Sequence, residues 1–498
     1  MRVRVTNVND STVFDDSDAN FKIQGALTVT SPNGGEKWTV GSSRAITWTR
    51  TGSVANVKLE YSKDNFATAT VIAASTPNTG SYTWTVPNDV SGTVKVRVAD
   101  AGDATVNDVS DANFKILAAF TVSAPNGGET WTVGATQAIT WATSGTVANV
   151  KLEFSKDNFV TATVITASTP NTGTYSWIIP DAISATVKVR VSNAVDAEAN
   201  DVSDANFKIR GGLVLVAPNG GETWTVGSTQ AISWTTSGTV PNVKLEYSTD
   251  GGVTYPSVVA ASVANTGSFS WTIPDSISNT VRVRVSDVTD ASANDTSDGN
   301  FKIRGNLTVS VPNGGEVWII GSAQTITWTS AGTIPSVKLE YSKDNFATVT
   351  LIAASVGNTG SFAWTVPDNA STTVKVRVTN TADATVFDDS NANFTIRGGF
   401  ILSAPNGGEE WVVGSTHQIA WTTTGSTIAN VKLEYSKDNF ATATVITPST
   451  PNAGFYNWLI PNDISATVKV RVSDANDPGT SDASSSSSTP PTILRPPR

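Results

Sequence analysis

The chain has 498 residues, a formal net charge of −10 and no cysteine. Disulfides, a thiolate nucleophile and a cysteine-based metal site are therefore excluded. Because no basic run balances the acidic residues, nucleic acid and anionic membranes are poor partners. No apolar run approaches the ~18 residues of a membrane-spanning helix.

Residues 1–25 match only the last two strands of a unit that recurs five times in the rest of the chain. The units are marked by the motif Pro-Asn-Gly-Gly-Glu at residues 32–36, which returns at intervals of 93 or 94 residues. The later copies begin at Pro125, Pro218, Pro312 and Pro405. A fixed period of this length indicates tandem domains. Proline followed by two glycines is turn chemistry, so each copy predicts a tight corner between two strands.

The repeat divides the chain into five units and two flanking segments. The predicted units are 26–117, 118–210, 211–304, 305–397 and 398–477. The fifth unit has no counterpart of the closing Phe-x-Ile strand. Residues 478–498 are rich in serine and proline, which predicts a disordered or polyproline-like tail.

Two-residue alternation predicts seven strands and a closing eighth in the first unit. They are 27–31, 37–40, 44–49, 56–62, 69–73, 81–86, 93–98 and 113–116. The first two are read as one strand broken at the corner, and no stretch has a helical period. The predicted fold class is all-β, a tandem array of Ig-like or fibronectin-like β-sandwiches. Because only three residues join successive units, they should abut in an extended rod of roughly 200 Å.

Each unit carries three tryptophans at positions that indicate the core. In the first unit Trp48 follows Ile46 at strand spacing. Trp84 lies between Tyr82 and Val86. Indole rings that alternate with valine and isoleucine are typical of a sandwich interior, with the N–H group hydrogen-bonded. The alternative is an exposed aromatic platform for stacking sugars.

The order of motifs in every unit resembles a known family. Pro-Asn-Gly-Gly-Glu-x-Trp-x-Val-Gly is followed by Ile-x-Trp, then Val-Lys-Leu-Glu-Tyr-Ser, then Trp-x-x-Pro. This resembles the fungal Ser/Thr-rich GPI-anchored cell-wall protein domain and its bacterial extracellular Ig-like relatives, in five tandem copies. The resemblance implies a β-sandwich in a secreted or surface-attached protein and no catalytic residue. The chain shows no C-terminal anchor signal, which favours the bacterial or archaeal type.

No catalytic set can be assembled from the sequence, so we expect no enzyme activity. The one histidine, His417, stands where the first unit has Arg44, which indicates a solvated surface position. Glu36 recurs in every unit, but acid–base chemistry on a glycosidic bond needs a second carboxyl group at a fixed separation. The favoured interpretation is that Glu36 accepts N–H groups of its own turn.

Charged residues on the central strands are expected to pair across the sheet. Lys58 and Glu60 lie on one strand, and Lys95 and Arg97 on its neighbour. Glu60 should meet Arg97 or Lys95. Because these lysines fall on the polar side of their strands, a lysine–asparagine isopeptide bond, which needs a buried lysine, is not expected.

An acidic loop before the last strand is the best candidate for a metal site. In the first unit it holds Asp100, Asp103, Asp108 and Asp111. Carboxylate oxygens at the end of a sandwich suit calcium. The spacing matches no EF-hand pattern, however, and such loops also form Asx turns on their own. Calcium is the one cofactor for which the sequence offers ligands.

Three functions fit such an array. The favoured one is structural: a stiff rod, extracellular or at the cell surface, that acts as a spacer or as the subunit of a fibre. Near-identical blocks such as residues 57–72 and 431–446 favour it, because a recognition site would need divergent loops. The alternatives are an adhesin or glycan-binding stalk that contacts a cell wall, and the non-catalytic repeat region of a larger secreted enzyme.

The two incomplete repeats suggest how a fibre would assemble. A sandwich that lacks an edge strand can accept one from another chain. Asn20, Phe21, Lys22 and Ile23 of one subunit would then complete residues 398–477 of the next. Such a contact does not close on itself and generates a head-to-tail filament. The competing interpretation is that the chain is a window of a longer repeat protein.

Overall fold

The computed structural model describes residues 1–485, and every regular element in that range is a β-strand. The strands form five successive sandwiches, each with a three-stranded sheet and a larger sheet. This confirms the all-β tandem array that alternation and the repeat predict. Within residues 1–485 no helix has the length and apolar character needed to cross a membrane.

The first unit contains nine strands, and a short hairpin precedes it. The hairpin strands are β1 Arg4–Asn7 and β2 Asp10–Asp16. The unit consists of β3 Ala26–Ser31, β4 Lys37–Thr39, β5 Ser43–Thr51, β6 Asn56–Ser62, β7 Thr70–Pro77, β8 Ser81–Thr85, β9 Ser91–Asp100, β10 Asn107–Val109 and β11 Phe114–Leu117.

The two sheets of the first unit are connected at the glycine corner. The small sheet has the order β3-β5-β8, and the large sheet has the order β4-β11-β9-β6-β7, with β10 beside β9. The corner at residues 32–36 separates β3 from β4, so it carries the chain from one sheet to the other. The closing strand β11 runs parallel to β4 and antiparallel to β9, and it lies between them.

The second, third and fourth units repeat this arrangement. The second has β12 Ala119–Ala124, β13 Thr130–Thr132, β14 Thr136–Ser144, β15 Asn149–Ser155, β16 Thr163–Pro170, β17 Thr174–Ile178, β18 Ser184–Asn193, β19 Asn200–Val202 and β20 Phe207–Arg210. The third has β21 Gly212–Ala217, β22 Thr223–Thr225, β23 Thr229–Ser237, β24 Asn242–Ser248, β25 Ser257–Ala264, β26 Ser268–Thr272, β27 Ser278–Asp287, β28 Asn294–Thr296 and β29 Phe301–Arg304. The fourth has β30 Asn306–Val311, β31 Val317–Ile319, β32 Ala323–Ala331, β33 Ser336–Ser342, β34 Thr350–Gly357, β35 Ser361–Thr365, β36 Ser371–Asn380, β37 Phe387–Asp389 and β38 Phe394–Arg397.

The fifth unit is smaller in its described part. Its strands are β39 Gly399–Ala404, β40 Thr416–Thr424, β41 Asn430–Ser436, β42 Thr444–Pro451, β43 Phe455–Leu459, β44 Lys469–Asp474 and β45 Ser481–Ala483. The large sheet is reduced to the order β42-β41-β44-β45. Because β45 pairs with β44, the unit extends past the predicted boundary at residue 477. The predicted tail beyond residue 485 lies outside the described residues.

The core of each sandwich is filled by the inward residues of both sheets. In the first unit Phe114 and Ile116 of the closing strand are fully buried. Burying each such side chain stabilises the unit by roughly 1.5–3 kcal/mol. Trp38 packs on Phe114, with 5.1 Å between the ring centroids. Every tryptophan except Trp411 is buried, which confirms the core interpretation for the rest and provides no row of exposed indoles for sugar stacking.

The N-terminal segment forms a different pair of strands from the one predicted. β1 and β2 pair with Arg4 opposite Asp16, just as Arg97 pairs with Val109 between β9 and β10. The hairpin is therefore the counterpart of β9 and β10. Residues 20–23, predicted to be a strand, form none, because β4 and residues 91–93 of β9 have no counterpart in residues 1–25. Only Phe21 is paired, through two backbone hydrogen bonds to Met1, the counterpart of Val94.

Candidate functional site

The junctions between units repeat one charged contact. A basic residue at the closing strand of one unit reaches the acidic loop of the next, since that loop lies at the neighbouring end of the sandwich. The pairs are Lys115 with Asp196 at 2.9 Å, Lys208 with Asp290 at 2.7 Å, Lys302 with Asp383 at 2.5 Å and Arg397 with Asp477 at 3.8 Å. Lys22 pairs in the same way with Asp103 of the first unit.

The second junction contact joins two loops by hydrogen bonds. The loop after each Trp-x-x-Pro motif offers a carboxyl or amide oxygen to the Gly-Thr or Gly-Ser turn of the next unit. The backbone N–H of Thr146 donates to Asn88 Oδ1 at 2.7 Å, and that of Thr333 donates to Asp275 Oδ1 at 2.9 Å. Ser426 makes the same contact with Asp368 at 2.9 Å.

A third contact is apolar and depends on glycine in that turn. Gly238 has φ +80°, and a Cβ placed there would lie 2.9 Å from the side chain of Val133 in the preceding unit. At Gly425 the corresponding distance to Ile320 is 2.7 Å. Only glycine allows this approach and this backbone conformation together. Three contacts in a join of three residues leave little freedom between neighbouring units.

The ion pair at the first junction favours the charged forms of both partners. A hydrogen bond from Lys115 holds the pKa of the Asp196 carboxyl below its usual value, against the opposing effect of burial. Hydrogen bonds to Asp196 and Glu198 raise the pKa of Lys115. This junction therefore stays ion-paired across the neutral range.

The acidic loop of the first unit does not gather its carboxylates into one site. Asp103 is paired with Lys22, and Asp108 accepts the backbone N–H of Val29 at 2.7 Å. Asp111 accepts a hydrogen bond from the Asn33 side chain at 2.7 Å. Asp100 accepts the N–H of Gly102 at 2.9 Å, which is the expected Asx turn. Among residues 1–485, no three metal-ligating side chains stand together.

The remaining sequence candidates have structural partners. Glu36 accepts the backbone N–H groups of Asn33 and Gly34, both at 2.7 Å, which confirms the turn interpretation. Glu60 pairs with Arg97 at 2.7 Å, as expected, and also with Lys58 at 2.6 Å. These contacts stabilise turns and sheets, and none of them forms a pair of opposed catalytic groups.

In its described residues, which end at residue 485, the fifth unit has an open edge where the other units have their closing strand. The counterparts of β4 and β11 are absent from this range, and β44 has six residues where β9 has ten. In the sequence, Ser488 and Pro490 align with Phe394 and Ile396, so the Phe-x-Ile motif is not repeated there.

The open edge exposes an apolar cavity of about 150 Å³. We call it the slot, and its apolar lining includes Trp411, Tyr435, Trp458, Ile460, Val468 and Val470. In the first unit the Phe114 ring packs on Trp38, the counterpart of Trp411, so the slot lies where a complete unit places this phenylalanine. An apolar cavity of this size is large enough for a benzene ring.

Trp411, which lines the slot, makes a contact with His417 that the sequence did not predict. Trp411 is only half-buried, and it stacks on the His417 ring with 4.7 Å between centroids and 4° between planes. His417 also bonds to Ser415 Oγ at 2.9 Å. His417 is partly exposed, like Gln230 and Gln324 at the same position, and its stack on Trp411 is the contact that the sequence did not predict.

One family model matches part of the chain. Residues 31–114 match the Kre9/KNH-like N-terminal Ig-like domain. The match lies within the first unit and supports an Ig-like family there, which is coarser than the resemblance drawn from the motifs. It says nothing of a GPI anchor. No curated protein matches the sequence.

Solved structures similar to the chain are other tandem arrays. The N-terminal eight Ig domains of Down Syndrome Cell Adhesion Molecule align over 94% of this chain and 71% of that one, at 12% identity and a TM-score of 0.21. Sidekick-1 immunoglobulin domains 1–5 align over 94% and 99%, at 9% identity and a TM-score of 0.20. The fibronectin(III)-like modules of Clostridium thermocellum CbhA align over 37% and 94%, at 18% identity and a TM-score of 0.15.

Proposed function

We propose that the protein is a structural, extracellular repeat protein whose sandwiches form a stiff rod, and that rods join head to tail into a surface filament. This proposal rests on the contacts at the junctions between units. The same three contacts recur between successive units, so the chain already contains several copies of one end-to-end interface.

The two ends of the described array present the two halves of that interface. At the fifth unit, Val413 and Asn462 are exposed at the positions that Val133 and Asn88 occupy in the earlier junctions. Ile464 beside them is 82% exposed. At the first unit, the Gly52-Ser53 turn has the positive φ of the turns that meet these residues elsewhere. A second copy placed end to end would repeat an existing junction.

Negative-stain images of the purified chain at rising concentration test this proposal. We expect thin rods at low concentration and unbranched fibres of one sandwich width at high concentration. Single rods at every concentration would overturn the filament. Retention of such rods on insoluble polysaccharide would instead favour the glycan-binding alternative.

A further inference from the structure

The slot of the fifth unit is bordered by two backbone segments outside any strand as well as by apolar side chains. In the first unit β11 pairs with residues 37–39 on one side and with the first half of β9 on the other. The corresponding residues 410–412 and 465–468 of the fifth unit are in no strand. A segment that enters the slot would therefore meet two open edges, as β11 does.

The chain itself contains an exposed segment with the sequence that fills this space elsewhere. Residues 20–23 read Asn-Phe-Lys-Ile, identical to residues 113–116, 206–209 and 300–303. The phenylalanines of those three copies are buried within their sandwiches. Phe21 and Ile23 are instead 42% and 68% exposed. This segment is complementary to the slot in length and in the spacing of its apolar side chains.

Charge at the open edge also suits this segment. In the register of β11 on β4, Lys115 lies opposite Lys37, so Lys22 would lie opposite Glu410. The other units have Lys37, Thr130, Thr223 and Val317 at that position. Glu410 is the one acidic residue among the five, and it stands in the one unit that shows no closing strand within residues 1–485.

The segment is already held in the geometry of a junction. Lys22 pairs with Asp103 of the first unit, as Lys115 pairs with Asp196. Gln24 Nε2 adds a hydrogen bond to Thr105 Oγ1 at 2.9 Å. When residues 21–23 enter the slot of a second copy, the first unit behind them therefore arrives where a sixth unit would stand. The hairpin of β1 and β2 duplicates β44 and β45 and stays outside, so the two backbone hydrogen bonds between Phe21 and Met1 are exchanged for bonds to the slot.

We propose that the slot of the fifth unit is a strand-acceptor site for Phe21, Lys22 and Ile23 of a second copy of this chain. Phe21 packs on Trp411 as Phe114 packs on Trp38, and Ile23 takes the position of Ile116. This site rests on the proposed head-to-tail assembly and names the segment that joins the subunits.

A disulfide between engineered cysteines tests the register directly, because the natural chain has none. Residues directly opposite in neighbouring strands lie within the Cα separation that a disulfide allows. We expect the variant K22C with E410C to form a ladder of covalent oligomers on oxidation. The matched control combines K22C with V253C, because Val253 is exposed in the third unit, away from the slot. Equal cross-linking rates in the two variants would overturn the proposal.

Two phenylalanines of the same N-terminal segment provide a second control. Adding Phe21→Ser to K22C with E410C should slow cross-linking by about tenfold or more, since a buried ring is lost from the contact. Phe14→Ser should leave the rate unchanged, because Phe14 is 50% exposed and lies outside the Phe-x-Ile pattern. Both residues are exposed, so neither change is expected to unfold the chain. Cross-linking that is insensitive to Phe21→Ser would overturn strand donation.

The failure of strand donation can be told apart from the failure of the filament. If both the natural chain and the Phe21→Ser variant form fibres, strand donation is refuted and head-to-tail assembly remains. If the natural chain forms no fibres, a fluorescent peptide of residues 19–26 probes the slot of the full-length Phe21→Ser chain. Binding that is weakened about tenfold or more by serine at the peptide's phenylalanine supports the acceptor site. Equal binding of the two peptides, or none, overturns it.

Discussion

Trp38 and Trp411 occupy the same position in a complete and an incomplete unit, so their replacement measures what the closing strand contributes. Trp38 is buried against Phe114 and Trp84, with centroid distances of 5.1 and 6.0 Å. Truncation of such a side chain leaves a cavity, and Trp38→Ala should lower the free energy of unfolding of the first unit by about 3–5 kcal/mol. Because units contact only their neighbours, distant units should keep their stability.

Trp411→Ala should cost much less in a chain that is kept unassembled. Trp411 is half-buried, and its aromatic partners are His417 at 4.7 Å and Trp458 at 6.1 Å. Loss of these contacts should destabilise the fifth unit by about 1–2 kcal/mol. The comparison is made in the Phe21→Ser background at low concentration, so that no donated strand fills the slot.

Native-state hydrogen exchange resolves the two units, which fluorescence from many tryptophans cannot do. The amides of β9 report on the first unit and those of β44 on the fifth. If Trp411→Ala lowered the free energy of unfolding of its unit as much as Trp38→Ala does, or more, the assignment of the slot as an unfilled core position would be contradicted.

Three further predictions concern the core, the junctions and acid stability. Trp48→Ala should destabilise the first unit by about 3–5 kcal/mol, because it removes a buried ring whose N–H donates to Asn78 at 2.7 Å; unchanged urea unfolding would refute the core position. Lys115→Met should increase bending between the first two units in electron micrographs, since its ion pair is lost. EDTA should leave the bending of the natural chain unchanged. If millimolar calcium straightened the chain, the calcium hypothesis would be supported again. Hydrogen bonds from Thr68 and Ser62 lower the pKa of Asp64 to about 2 from 3.8, so the stability that Asp64 adds is complete above about pH 3.8 and disappears as the pH falls to about 2; Asp64→Asn should lower the urea midpoint at pH 7 and not at pH 2.

Strand alternation predicted most of the fold because a sandwich exposes one face of each sheet. The repeat then extended the strands predicted for the first unit to the other four. It missed β10, whose three residues lie in a polar loop without alternation. It also joined β3 to β4, because the direction of the chain after the corner depends on the parallel pairing with β11. That pairing is not visible in local sequence.

The site was predictable only in part. The absence of a Phe-x-Ile segment in the fifth unit predicted an open edge, and the identity of residues 20–23 with the closing strands predicted a donor. The junction was missed because Lys115 and Asp196 are 81 residues apart, and nothing local links them. The same acidic loop therefore suggested calcium, although its carboxylates bind lysine and backbone N–H groups.

A high-resolution cryo-electron microscopy map of the fibres would show the strand-acceptor site itself. We expect an extra strand in the slot of every fifth unit, between residues 410–412 and 465–468. Its side-chain density should match Phe21 and Ile23, and it should continue into the first unit of the next subunit. An empty slot, or a strand that continues from residue 485 of the same subunit, would contradict the account.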